Sequence, residues 1–190
     1  PFPLAVILVG TLAAWSGALH LDGLADTADG FFSSRPRERI LEIMRDSHIG
    51  AMGVIALVLV LLLKISCLTT VETDLTWRAV LLMPLTGRCA ILVMMAVLPY
   101  ARSEGGLGML FYGPAAMLKA LLWLVLLIVF SWLVMGLSGI FAIMTALLIT
   151  FLFCFYCKKI IGGATGDTLG AVCELAEAGV ALGYCLSLGR

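Results

Sequence analysis

The chain has 190 residues, of which 62% are hydrophobic and only 13% charged, with 12 Lys and Arg against 12 Asp and Glu. Soluble domains run to about 45–50% apolar and about 25% charged residues, so a mean hydropathy of +1.12 excludes a soluble globular domain. Zero net charge and the lack of a basic run remove the electrostatic footing for nucleic-acid binding.

A bilayer core about 30 Å thick takes about 20 apolar residues as helix, and over that length only helices satisfy their own backbone in lipid. The sequence therefore predicts an all-α polytopic bundle of about six transmembrane helices, at 2–19, 50–68, 79–98, 117–135, 140–157 and 170–189. Residues 120–157 carry no charge, enough chain for two spans with a turn at Gly136-Leu137-Ser138-Gly139. The last segment is the weakest, because it contains Glu174 and Glu177. Pro1 is not a natural start and no signal-peptide pattern follows it. The expectation is a single transmembrane domain over 1–190 that lacks an N-terminal segment, with an acidic motif and an interfacial helix in 20–49.

The stretches between spans alternate sides. Those at 20–49, 99–116 and 158–169 hold Arg35, Arg37, Arg39, Arg45, Arg102, Lys158 and Lys159, whereas 69–78 and 136–139 hold only Arg78. The positive-inside rule places the first set in the cytoplasm, so the polar motifs share one cytoplasmic face. The six cysteines lie in or near apolar segments. Cys154 and Cys157 form a C-x-x-C with no companion pair or His, which reads as buried thiols rather than a zinc site.

The strongest motif runs from His20 to Gly30. Asp22, Asp26 and Asp29 stand at i, i+4 and i+7, within roughly 60° of one another around a helix. Three like charges on one stripe repel, so a cation must offset them. Hard carboxylate oxygens suit Mg²⁺ shared with substrate phosphates. His20 falls on the opposite side and reads as an interfacial or supporting residue. Pro36 then starts a short helix with Ile40, Ile43 and Met44 on an apolar face, while Arg37, Glu38, Glu42, Arg45 and Asp46 face away. Arg45 and Asp46 stand where the chain re-enters the bilayer, beside the acids, as candidate site residues.

Arg88 is near the middle of the third span and must meet an anion there, either a substrate phosphate or Glu174. Pro99 to Gly108 is a Gly-rich loop whose Arg102 suits phosphate. Gly162, Gly163 and Gly166 offer adaptable backbone at a helix start, suited to an anion. Asp167 either caps that helix or binds a metal. Gly166 and Gly170 form a small-residue face for a close helix contact, and such faces leave a homo-oligomer open. Acids, arginines and glycine loops at one end of a bundle suit phosphoryl transfer. A cation transporter would place its acids near the midplane on repeated, interrupted segments, and no internal repeat is visible.

The stretches His20-Leu21-Asp22-Gly23-Leu24-Ala25-Asp26-Thr27-Ala28-Asp29-Gly30, Leu41-Glu42-Ile43-Met44-Arg45-Asp46-Ser47, Tyr100-Ala101-Arg102 and Thr165-Gly166-Asp167-Thr168-Leu169-Gly170-Ala171 resemble those of the cobalamin synthases, the adenosylcobinamide-GDP ribazoletransferases. The resemblance implies a Mg²⁺-dependent inner-membrane enzyme. It would join adenosylcobinamide-GDP to α-ribazole or its 5′-phosphate, releasing GMP. It also implies roles: Asp22, Asp26, Asp29 and Asp167 for the metal, Asp26, Asp29 or Asp46 for the hydroxyl proton, and Arg45, Arg88 and Arg102 for the phosphates. A phosphatidyltransferase using a CDP-linked lipid is the alternative enzyme.

Overall fold

The computed structural model describes residues 1–73, 75–102, 112–113 and 115–188. Among these residues seven helices follow one another: α1 (Phe2–Trp15), α2 (Leu19–Phe31), α3 (Arg37–Ile43), α4 (Ala51–Thr70), α5 (Thr76–Val97), α6 (Ala116–Ile161) and α7 (Gly166–Leu188). Among the described residues the only β-pairing is one isolated parallel bridge between Tyr100 and Ala164.

The predicted spans at 50–68, 79–98 and 170–189 correspond to α4, α5 and α7. The two at 117–135 and 140–157 are both contained in the 46 residues of α6. Unbroken, such a helix would measure about 70 Å, more than twice the apolar core of a bilayer. It is broken at Gly136, whose φ of 59° and ψ of −137° suit only glycine. A Cβ on Gly139 would overlap the carbonyl oxygen of Ser131, eight residues earlier, so the second half folds back against the first.

The first segment departs from expectation. α1 has only 14 residues, about 21 Å of helix, too short to span alone. Gly17 and Ala18 both take left-handed φ values, 59° and 58°, and the chain bends by 90° into α2. Among the described residues four helices are long and apolar enough to cross a membrane, or five if the α1–α2 pair counts as one broken span. The expected six therefore rest on dividing α6 at its break and on that bent pair.

α7 is the central helix and packs against α2, α4, α5 and α6. Its small residues permit this. Cβ atoms at Gly179 and Gly183 would come within 2.9 and 2.8 Å of the Cα atoms of Ala146 and Ala142 on α6. Large apolar side chains fill the rest of the core, among them Leu82, Met83, Met94, Ile143 and Val180, all under 2% exposed. The outer faces of α4 and α6 carry exposed Leu, Val, Trp and Phe, as a lipid-facing surface requires. All six cysteines are free thiols, five of them buried, as their apolar setting predicts.

Among the described residues four charges meet within the bundle. Lys64 on α4 donates to Glu174 at 2.6 Å and to Glu177 at 2.8 Å, and Arg88 on α5 donates to Glu177 at 2.6 Å. The Lys and both Glu are nearly fully buried, while the Arg88 side chain is 44% exposed. Two cations and two anions make the quartet neutral. This neutrality explains how α7 carries two acids through the bundle, since unpaired charge there is expensive.

Candidate active site

Three stretches distant in sequence converge at one end of the bundle: α2 with its acids, the chain leaving α5, and the start of α7. Close backbone approach makes this possible. A Cβ on Gly23 would lie 2.6 Å from the carbonyl oxygen of Asp167, and one on Gly170 would lie 3.1 Å from that of His20. A Cβ at Gly23 would overlap the α7 backbone and one at Gly170 would crowd that of α2, so the two glycines let α2 cross α7 closely enough for the two acidic segments to meet. At its other end α2 is anchored by Phe31, which stacks on Phe153 at 6.4 Å and meets Tyr156 edge-on at 5.5 Å.

The chain leaving α5 and the chain entering α7 are joined backbone to backbone. Ala101 N–H donates to the Ala164 carbonyl at 2.8 Å, and Ala164 N–H donates to the Pro99 carbonyl at 2.9 Å. Gly163 lies so close to Pro99 that a Cβ would overlap the Pro99 carbonyl oxygen. Its smallness serves that contact. Gly162 ends α6 at φ 77°, and Gly166 opens α7 with nothing within 4 Å of where a Cβ would stand. Both are exposed, as an approaching anion needs.

The acids have separate settings. Asp22 is exposed, while Asp26 and Asp29 are half-buried. Asp26 is repelled by Asp22, Asp167 and Asp29, in that order, and attracted by Arg102. Neither Asp22 nor Asp26 has a hydrogen-bond or ion-pair partner among the described residues. Asp29 is committed. Its two oxygens accept from the backbone N–H of Gly50 at 2.7 Å and of Gly53 at 2.8 Å, so it caps the start of α4 from another helix. Losing both bonds in Asp29→Ala should cost about 1–2 kcal/mol of stability. Asp22→Asn should leave the thermal unfolding midpoint in detergent at the wild-type value.

Asp167 does not cap its own helix. Thr165 and Thr168 do so reciprocally: Thr165 N–H donates to the Thr168 hydroxyl at 2.8 Å, and Thr168 N–H to the Thr165 hydroxyl at 3.3 Å. The Asp167 carboxylate is thereby free to accept from Arg102 Nη2 at 2.7 Å. The remainder of the predicted Gly-rich loop, Ser103 to Gly108, lies outside the described residues. Among the described residues no three His, Cys, Asp or Glu side chains converge closely enough to hold an ion.

Arg88 donates to Glu177 and not to the expected Glu174, so the anion that the protein supplies lies about one turn further along α7. His20 is half-buried on the far side of α2, where Arg88, Glu177 and Lys64 are the charges that act on it. Arg45 and Asp46 are exposed after α3. Asp46 accepts from the His48 backbone N–H at 3.0 Å and meets the ring Nδ1 at 2.6 Å. This hydrogen bond holds the Asp46 carboxyl below its ordinary range and pushes His48 above 6.5. The contact is therefore complete between pH 3.8 and pH 6.5. It is lost as pH rises through the raised His48 value, and lost again as pH falls through the lowered Asp46 value. An NMR titration of the His48 ring should find its midpoint above 6.5, returning to the ordinary range in Asp46→Asn.

Two residues were missed in the sequence. Lys64 lies inside an otherwise apolar segment. The signal for it was charge balance, since two acids in 170–189 needed a second cation besides Arg88. Arg37, assigned to the outward face of the interfacial helix, instead reaches across to the loops. α3 does bury Ile40 and Met44 beneath α2, where the Met44 side chain fills the space beside Gly30.

A family described as cobalamin-5-phosphate synthase matches residues 1–185. The chain belongs to the cobalamin-5-phosphate synthase family. A relative from Thermoanaerobacter sp. (strain X514), named adenosylcobinamide-GDP ribazoletransferase, is 43% identical over 163 residues, 85% of this chain and 65% of its own length. Relatives with the same name from Desulforamulus reducens and Geotalea daltonii are 44% identical over 167 residues and 42% over 178, covering 88% and 93% of this chain and 67% and 71% of their own lengths. This family member thus spans about two thirds of the length of the curated relatives it matches. No solved structure matches it.

Proposed function

We propose that the protein transfers the adenosylcobinamide-phosphate group of adenosylcobinamide-GDP to the 3′-hydroxyl of α-ribazole or its 5′-phosphate, giving adenosylcobalamin or its 5′-phosphate and GMP. The supporting observation is the meeting of α2 and α7, which sets Asp22 and Asp26 beside the Arg102–Asp167 pair. The family of the chain and the names of its relatives support the choice of substrates. The excess of basic residues around the converging loops supports a cytoplasmic face of an inner membrane.

The donor set fits Mg²⁺. The ion usually takes one or two carboxylates and completes its shell with water and substrate phosphates. Asp22 and Asp26 are hard oxygen donors, mutually repelling and without other partners among the described residues. They would hold it. Asp29 and Asp167 keep their oxygens on the α4 amides and on Arg102, and support the site from behind. Mg²⁺ would neutralise charge on the pyrophosphate. Arg102 and the open backbone at Gly162 and Gly166 bind the phosphates. The ribazole 3′-oxygen bonds to the cobinamide-proximal phosphorus, the bond from that phosphorus to the bridging oxygen breaks, and GMP leaves. The hydroxyl proton passes to a carboxylate of the acidic stripe, with Asp26 at its centre.

The test is release of GMP by the protein in detergent with Mg²⁺, adenosylcobinamide-GDP and α-ribazole 5′-phosphate. Release that needs all three components supports the reading. CMP from a CDP-linked lipid and no GMP would replace it with a phosphatidyltransferase, and cation flux in liposomes without any nucleotide product would replace both.

A further inference from the structure

Arg37 opens α3, the short helix that follows the acidic helix directly and packs Ile40 and Met44 beneath it. Its guanidinium leaves that helix. Nε donates to the Ile161 carbonyl at 2.7 Å, and Nη2 donates to the Ala101 carbonyl at 2.9 Å. Ile161 is the last residue of α6, and its carbonyl belongs to the group that a helix end leaves without an internal partner. The last turn also carries the negative end of the helix dipole, which favours a cation. Ala101 directly precedes Arg102, and Ile161 directly precedes the glycines. One planar fork thus grips both stretches just before the residues proposed to bind phosphate. A lysine ammonium is a point charge on a flexible stem and cannot reproduce that span.

We propose that Arg37 is a positioning residue for the proposed transfer site: through the Ala101 and Ile161 carbonyls it fixes where Arg102, and with it Asp167, stands relative to the acids of α2. The backbone bridge at Ala101 and Ala164 joins the two loops to each other, whereas Arg37 joins both to the segment that carries Asp22 and Asp26. This inference rests on the function proposed above, and its test contains an arm that does not.

The full-length protein is compared with Arg37→Ala, Arg102→Ala, the double variant, and Arg39→Ala as a control. Arg39 shares α3 and pairs only at the exposed surface with Glu42. GMP release by Arg37→Ala should fall at least about tenfold at saturating substrate, with Arg39→Ala unchanged. Because Arg37 acts through Arg102, the double variant should match Arg102→Ala within about twofold, and guanidinium ion should restore part of the Arg37→Ala rate but none of the Arg102→Ala deficit. Losses that multiply in the double variant, or an Arg37→Ala rate within twofold of wild type, overturn the proposal. If Arg37→Ala does not fold, Arg37→Lys carries the same comparison with the same criteria. Hydrogen exchange supplies the arm independent of activity: the Ala101 and Ala164 amides should exchange at least about tenfold faster in the Arg37 variant than in Arg39→Ala, and equal protection overturns the proposal. A wild-type protein that releases no GMP would sink the functional reading while the exchange measurement still decided whether Arg37 holds the loops.

Discussion

Replacing Asp26 by Asn should reduce GMP release by about 10²–10⁴-fold, the range expected when a group that accepts a proton in the transition state is removed. The protein should remain folded. Asn is nearly isosteric with Asp, and Asp26 has no hydrogen-bond or ion-pair partner among the described residues for the change to break. Removing its charge relieves repulsion from Asp22, Asp167 and Asp29. The variant should therefore elute and melt like the wild type, or melt slightly higher, while turnover collapses. That opposition is informative, since a residue kept for stability would show the reverse. Normal turnover in Asp26→Asn would remove the acidic stripe from the chemistry, and the proposed function with it.

The second large effect is expected about two turns further along α7. Lys64→Met keeps an unbranched side chain of similar length in the middle of α4 but withdraws the cation facing Glu174 and Glu177. Arg88 reaches Glu177 and no other acid among the described residues, so Glu174 would be left charged and unpaired in the bundle. Breaking one side of a buried ion pair costs about 3–5 kcal/mol, because the remaining charge keeps its desolvation penalty. Lys64→Met with Glu174→Gln leaves the neutral Arg88–Glu177 pair and should recover most of the loss. Unfolding in mixed micelles on titration with dodecyl sulfate would read both variants. Equal stability of the single and double variants would show that Glu174 does not depend on Lys64.

The sequence by itself determined the class of the protein and the chemistry available to it. Composition required helices in lipid, and the spacing of Asp22, Asp26 and Asp29 placed three acids on one helical stripe, which α2 realises. The loop charges grouped the polar motifs on one side, and three of them, on α2, after α5 and at the start of α7, do converge. These features depend on composition and on the 3.6-residue period, which are local properties that any reader of the chain can count.

Only the tertiary structure decided which of those groups are committed to holding the fold. Asp29 and Asp22 are indistinguishable in the acidic motif, yet Asp29 caps α4 because Gly50 and Gly53, more than twenty residues later, present their amides to it. By position Asp167 read as either a helix cap or a metal ligand, but Thr165 and Thr168 satisfy the α7 terminus and leave it to Arg102, which arrives from the end of α5. The same holds for Lys64, whose partners lie on α7, and for Arg37, whose two acceptors are backbone carbonyls of no particular residue type. A carbonyl leaves no mark in the amino-acid code, and a hydrogen bond or ion pair across many residues is set by how helices cross. In this protein those crossings are permitted by the absence of a side chain at Gly23 and Gly170, a property whose consequence exists only once two helices are laid against each other.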